Sequence, residues 1–464
     1  MPKPPPQLPQ GTSSTLRGFS ETFSFHASPE SFITSRTLDY QREHPELVES
    51  RAVIRAKVLN RNVAVISTYA QIKQVLEQDG VGYEAKGAYD ELMAPFFPSP
   101  NLLLADGTGH GIMRRIWESR VAPFHSNIAA MVESCAKAHF DAIPTDTNVD
   151  LYECMKTLSW KIVLGSFLDL RNSDTLFSRI EGLQEELLRG QFSLFPVSIN
   201  TGFWHSPRKR GINAKEKLQS LIAEHLKSRE ATCPFSTPDK ESLEDVVNHT
   251  VLVTSSLAVK AIASLLAALC LNLYVYRDKD GLTLADEAGR ENNVESFSTR
   301  IRAILMETER LSPPIVGIMR RSTRDNIISS PGEHADIQVP KGWDSWLYFV
   351  GAGRDPMVFG STWDRFDPGR YNHSRVPEAM AFSTGAKTCL GRDVVRKIAF
   401  NVAKSWLNLG LRFEGKVNAR GVRGWLGWEP NDSVKPEEWA ADMKQLPTQR
   451  PSAPVMVRIT RDKE

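Results

Sequence analysis

Between Asp245 and Arg277 the chain carries a single Lys, Arg, Asp or Glu, namely Lys260. A helix that is apolar on every side has to be buried, either in a bilayer or in the interior of a large protein. The uninterrupted run after Lys260, residues 261–276, is 16 residues long and contains Ser264 and Asn272. That is short of the roughly 20 apolar residues needed to span a membrane. The pattern therefore predicts one long helix over residues 242–276, threaded through the core of a soluble protein.

The rest of the chain is large enough to cover such a helix, with 464 residues of which 41% are hydrophobic. Length alone suggests two or three domains. A balance of 57 basic and 55 acidic residues excludes a nucleic-acid partner or an anionic membrane surface as the main target. The five cysteines, at 135, 154, 233, 270 and 389, form no Cys-x-x-Cys pair. This argues against a disulfide framework or a zinc site and for a reducing, cytoplasmic setting. Residues 1–15 are rich in Pro, Gln, Ser and Thr and lack an apolar segment, so they are expected to form a mobile tail with no signal peptide or membrane anchor.

Periodicity gives the remaining elements. Residues 51–68 read as a β-hairpin around Asn-Arg-Asn, followed by a helix at 69–78. A helical pattern over 106–124 holds His110 and Arg114 on one face, four residues apart. Residues 126–230 read as amphipathic helices broken near 144–147, 172–174 and 195–210, the last a long aromatic loop. A helix over 297–311 stops at Pro313-Pro314. Short strands follow at 320–325, 334–339 and 345–350, then a turn-rich meander at 363–371, a helix over 391–409 and a strand at 411–417.

Just before that last long helix stands Phe382-Ser-Thr-Gly385-Ala-Lys387-Thr-Cys389-Leu-Gly391. The two glycines permit tight turns and close approach of the backbone to a bulky group. A cysteine at a helix start, near Lys387, Arg392, Arg396 and Lys397, is expected to favour the thiolate, the form that ligates a haem iron. The bland alternative is a buried structural thiol.

Here the chain resembles the cytochrome P450 superfamily, whose proximal signature is Phe-x-x-Gly-x-x-x-Cys-x-Gly. Phe382, Gly385, Cys389 and Gly391 match its four fixed positions. The resemblance implies a mainly α, single-domain P450 fold over residues 16–464, with a small β-rich lobe made from residues 51–68 and the C-terminal strands. It implies haem b as cofactor with Cys389 on the iron, and Phe382, Gly385 and Gly391 around it. Matched residue by residue, it implies haem-propionate contacts from His110, Arg114, Arg320 and Lys387. Glu307-x-x-Arg310, followed by Phe366-Asp-Pro-Gly-Arg370-Tyr, resembles the family's buried ion-pair network, which is expected to lock the cysteine loop. The 195–210 loop falls at the family's mobile lid, and residues 421–428 at an aromatic hairpin tip near the substrate.

The chain departs from the family in the middle of the long helix. Most dioxygen-activating members carry an acid–alcohol pair there to relay protons. This sequence reads Val253-Thr254-Ser255-Ser256-Leu257-Ala258-Val259-Lys260, and no register supplies an acid. Thr254, Ser255 or Ser256 could relay protons, with monooxygenation of a lipophilic small molecule in specialised metabolism preserved. Alternatively oxygen arrives as peroxide, with Lys260 assisting or binding a substrate carboxylate, or a hydroperoxide or endoperoxide is rearranged without external electrons. Lys260 could also simply extend its ammonium to the surface. A flavoprotein or ferredoxin electron donor would meet Arg115, Arg120, Arg392, Arg396 and Lys397, unless these are an ordinary solvated surface. A non-catalytic haem carrier or sensor is the reading from another class.

Overall fold

In the computed structural model, residues 5–9, 11, 20–22, 24, 31–36, 53–58, 61–193, 205–228, 243–276, 283–289, 294–330, 335–372, 376–417, 443–444, 448–451 and 454–461 are described. In chain order they form β1 (Ile54–Val58), β2 (Arg61–Ile66), α1 (Tyr69–Glu77), β3 (Tyr83–Glu84), α2 (Gly107–Asp141), β4 (Thr147–Asp150), α3 (Leu151–Leu168), α4 (Thr175–Gln191) and α5 (Pro207–Ser228). Then come α6 (Leu243–Val253), α7 (Ser256–Val275), α8 (Val294–Leu311), β5 (Gly317–Ser322), β6 (Asn326–Ile328), β7 (Ile337–Val339), β8 (Asp344–Tyr348), α9 (Arg392–Asn408), β9 (Leu411–Val417) and β10 (Val455–Arg461), joined by shorter pieces. Most of the aromatic loop at 195–210 and all of 421–428 lie outside the described residues.

The mainly helical architecture expected from the pattern is present, and its core is helical. Trp117 and Phe140 of α2, Trp160 of α3 and Trp406 of α9 are fully buried in one cluster with the apolar face of α7. Helix α2 is longer than the 106–124 pattern predicts and continues through Pro123 to Asp141. Proline removes one helical hydrogen bond. Val121, Phe124, Ile128, Val132, Ala136 and Phe140, spaced three or four apart, nevertheless bury one continuous stripe across it.

The β structure corrects the expected single lobe. The hairpin β1–β2 joins a five-stranded sheet in the order β1-β2-β8-β5-β3, whereas β10 pairs with β4 on one side and β9 on the other in a separate three-stranded sheet. All of Val63–Ile66 is buried because β2 is an interior strand, paired with β1 on one side and running parallel to β8 on the other. The tail expected to be mobile over residues 1–15 is fastened at one point. Gln7 adds to β7, taking an N–H bond from Gln338 at 2.8 Å and donating one to Asp336 at 2.8 Å.

The single long helix expected over 242–276 is two helices, α6 and α7, broken at Thr254–Ser255. Three consecutive hydroxyl residues compete for backbone hydrogen bonds. Thr254 Oγ1 donates back to the Thr250 carbonyl at 2.7 Å, and Ser255, extended at φ −64° and ψ 148°, caps α7 by accepting from the Ala258 N–H. Within residues 243–274, a stretch long and apolar enough to cross a membrane, 67% of the most apolar window is buried inside the protein. That burial is the core placement predicted for it.

Candidate active site

The loop that carries Cys389 is fixed at both ends. Cys389 N–H donates to the Phe382 carbonyl at 2.9 Å, and Arg392 N–H to the Cys389 carbonyl at 3.3 Å, where α9 begins. Gly385 has φ +75°, and a Cβ there would stand 3.2 Å from the Leu76 carbonyl oxygen of α1. Only glycine suits that position. Gly391 differs from the expectation: it sits at φ −84°, and its nearest neighbours to an added Cβ are at 3.9 Å, so neither backbone angle nor space demands glycine there.

Cys389 lines a cleft of about 240 Å³ between α2 and the start of α9, with Arg114, Val121, Thr388 and Arg392 among its neighbours. The residue is accessible, yet protein surrounds it closely. Burial pushes its thiol above the ordinary value, against the pull of the Gly391 and Arg392 N–H groups and the Arg114 and Arg392 guanidiniums. The helix start and nearby cations therefore do not by themselves make the thiolate expected from the sequence. A metal cation does so by direct coordination. Among the described residues no group of three or more His, Cys, Asp or Glu side chains stands ready to hold a metal ion. A metal at Cys389 has to bring most of its ligands with it, as a macrocycle does.

The four residues matched to haem propionates come together from three parts of the chain. Burial first, then the charges of Lys387, Arg114 and Arg320, hold the His110 imidazole down at about 4, against the pull of Asp106. The His110 ring is in a side chain only 5% exposed and has no hydrogen-bond partner among the described residues. Arg114 Nη1 donates to the Thr388 carbonyl of the cysteine loop, and Nε to Glu118 at 2.7 Å. Arg320 is buried against Asp79 at 2.6 Å, and Lys387 stands 3.2 Å from Asp106. A neutral, unpartnered ring beside three cations fits an anionic ligand with carboxylates. Asp79 and Asp106, which orient two of those cations, were not visible in the sequence pattern.

The ion-pair network forms as matched, and its geometry revises its task. Arg310 grips Glu307 through Nε at 2.8 Å and Nη2 at 2.7 Å, and Arg370 reaches the same carboxylate at 3.1 Å. The remaining donors of Arg310 go to the carbonyls of Gly353, Trp363 and Arg365, and those of Arg370 to the carbonyls of Phe359 and Thr362. A Cβ on Gly353 would meet the Arg310 carbonyl oxygen at 2.2 Å, so the backbones pack directly. This network holds the meander, and among the described residues none of its hydrogen bonds goes to the cysteine loop. Two of the expected partner-facing cations are likewise engaged inside the protein: Arg396 bonds Glu309 at 2.6 Å, and Lys397 donates to the His125 carbonyl.

In the broken helix, none of the four polar candidates is free. Thr254 bonds Thr250 and accepts from Gln184, while Ser255 caps α7. Ser256 Oγ donates to Glu185 Oε1 at 2.7 Å, and Lys260 Nζ to Glu185 Oε2 at 2.7 Å. Lys260 is thus a paired, half-buried cation and not one that reaches the surface; burial lowers its pKa against the pull of Glu185. Burial also works against charge on Glu185, but the Lys260 and Ser256 bonds outweigh it and hold the carboxyl below its usual range. Gln184 Nε2 meanwhile donates to the Val251 carbonyl, at 3.1 Å, which lost its helical partner at the break. The carboxylate that residues 253–260 lack is brought to Ser256 and Lys260 by α4. No sequence signal marks it, because Glu185 lies 75 positions from Lys260.

A family model described as Cytochrome P450 matches residues 300–400, the stretch that holds Glu307, Arg310, Arg370 and the cysteine loop. Cytochrome P450 85A1 of Oryza sativa subsp. japonica is 23% identical over 419 residues, covering 83% of this chain and 83% of the relative. Cytochrome P450 52C1 of Candida tropicalis is 32% identical over 117 residues, 24% of this chain and 23% of the relative. Among solved structures, the retinoic acid bound cyanobacterial CYP120A1 shares the fold at a TM-score of 0.72, with 17% identity and 99% of each chain covered. The haem domain of cytochrome P450DA does so at 0.72, with 13% identity over 100% of this chain and 98% of that one. The cysteine-loop signature, the fold and relatives matched over 83% of the chain all liken this protein to the cytochrome P450s.

Proposed function

We propose that the chain holds haem b with Cys389 on the iron and oxidises a lipophilic small molecule, by monooxygenation within specialised metabolism. The observation that carries this reading is the unpartnered His110 ring among Arg114, Arg320 and Lys387, next to the loop that presents Cys389. These four side chains would take the two propionates. Phe382 and Gly385 would shape the loop around Cys389. When bound, the cofactor supplies the oxidising chemistry, with a thiolate ligand pushing electron density towards oxygen–oxygen cleavage.

The chain's own contribution on the opposite side is shape and proton control. Leu257, Ala258 and Ala261 are, with Lys260, the partly exposed side chains among those described on α7. They offer an apolar wall that excludes water and suits a lipophilic substrate. Ser256 is the hydroxyl through which Glu185 can accept or return a proton, with Lys260 fixing the carboxylate. Electrons would come from a flavoprotein or ferredoxin, and the free cysteines at 135, 154, 270 and 389 accord with a cytoplasmic enzyme.

A second reading has its own support. Thr254, Ser255, Ser256 and Lys260 are all committed to bonds with α4 or the helix backbone. A site with no free acid suits oxygen that arrives already reduced, as peroxide, or a hydroperoxide or endoperoxide substrate that is rearranged. Turnover of a lipophilic panel with hydrogen peroxide, compared with a reductase and NADPH, separates the two. Product only with reductase upholds the leading reading and removes the second. Product with peroxide alone reverses that order, and no product in either system overturns both.

A further inference from the structure

Helix α8 carries two acids two positions apart, and they point to different neighbours. Glu307 serves the meander. Glu309, only 1% exposed, faces α9 and receives Arg396 through Nε at 3.0 and 3.2 Å and Nη2 at 2.6 Å. Arg396 Nη1 also reaches Glu378, at 3.2 Å, in the segment that leads into the cysteine loop. The same guanidinium lies over the Phe382 ring, 5.5 Å from its centroid. Phe382 in turn accepts the Cys389 N–H on its carbonyl. A buried carboxylate thus fixes a cation, the cation covers an aromatic ring, and the ring's residue holds the backbone of Cys389.

We propose that Glu309 and Arg396 are positioning residues for Cys389: a second buried ion pair, separate from Glu307–Arg310–Arg370, that clamps the cysteine loop through Phe382 and sets the electrostatic field on the proximal side of the cofactor. The proposal rests on Cys389 being the iron ligand. A planar guanidinium is required because the same group has to meet a carboxylate edge-on and a ring face-on. Lysine retains the charge but has no fork with which to do both. An ordinary brace between α8 and α9 would be satisfied by any side chains that pack.

The test uses the haem-loaded protein and two variants. Glu309→Met with Arg396→Met removes the pair without leaving a lone buried charge, a replacement that well-packed interiors tolerate. Arg396→Lys retains the charge alone. The measurements are the iron midpoint potential, the share of the reduced carbon monoxide complex in the thiolate-type band, and the thermal midpoint. The clamp predicts that the double variant stays folded while its potential shifts and its thiolate-type share falls. It predicts that Arg396→Lys restores only part of both. Potential and band share equal to wild type in the folded double variant would overturn the clamp and leave a structural brace. A wild-type protein that lacks the thiolate-type band would overturn the cofactor assignment itself, and the clamp with it.

Discussion

Lys260 was the most conspicuous residue in the chain, and its environment was the least readable. A lone charge in an apolar stretch is visible at once; the carboxylate that neutralises it comes from α4, 75 positions away. The same holds for Asp79 on Arg320, at a separation of 241. By contrast Cys389, His110 and Arg310 were legible because each is marked by a short spacing within its own segment. Charge-assisted hydrogen bonds in part-buried sites contribute roughly 1.5–3 kcal/mol. Lys260→Met is therefore expected to lose about that much stability in urea denaturation, and Glu185→Leu in the same protein to recover part of it. Losses that simply add would show that the two side chains do not interact. A second residue with a readable consequence is His139, whose Nδ1 faces Lys161 at 3.1 Å and whose Nε2 meets Cys154 at 3.4 Å. Burial and Lys161 lower it from 6.5 to about 4. The unfolded chain therefore binds the extra proton first as pH falls. The stability tied to His139 is complete above pH 6.5 and is lost towards pH 4, by up to about 1.4 kcal/mol per pH unit. His139→Gln should flatten the fall in stability between pH 6.5 and 4.5 by roughly that slope; an unchanged slope would mean that the imidazole titrates normally.

Elements were read well where one period held and poorly where local chemistry intervened. The hairpin, the stop of α8 at Leu311 before Pro313-Pro314, and α9 all follow their patterns. The long apolar helix did not, since its hydrophobicity continues across Thr254-Ser255-Ser256 while its backbone does not. Composition reports burial, whereas a run of hydroxyl residues followed by a serine cap reports the break. The reverse holds at Pro123, inside the 106–124 pattern, where a residue that breaks many helices is carried through to Asp141 by the apolar stripe around it. Between elements, the Glu307 carboxylate is the junction of α8 and the meander and is fully buried with Arg310. Glu307→Gln keeps the shape and removes the charge, which leaves two guanidiniums without their anion. A loss of about 3–5 kcal/mol is expected, visible as a large drop in the denaturation midpoint. A variant as stable as wild type would show that the meander is held by packing alone.

At the scale of the whole molecule, the site is a meeting place of remote segments. His110 and Arg114 come from α2, Arg320 from β5, and Lys387 with Cys389 from the loop before α9. The resemblance to a known family singles out these residues as a group because it carries the fold with it. Periodicity alone could not have brought them together, and the resemblance itself put into one lobe the hairpin and the C-terminal strands, which belong to separate sheets. The proposed chemistry depends on one bond, between Cys389 and a haem iron. The direct measurement is the absorption spectrum of the reduced carbon monoxide complex, for wild type and for Cys389→Ser, after reconstitution with haem. The wild-type protein should show the band characteristic of thiolate ligation, and Cys389→Ser should lose that band while still retaining haem through the cations around His110. Persistence of the thiolate-type band in Cys389→Ser, or its absence from the haem-loaded wild type, would contradict the assignment.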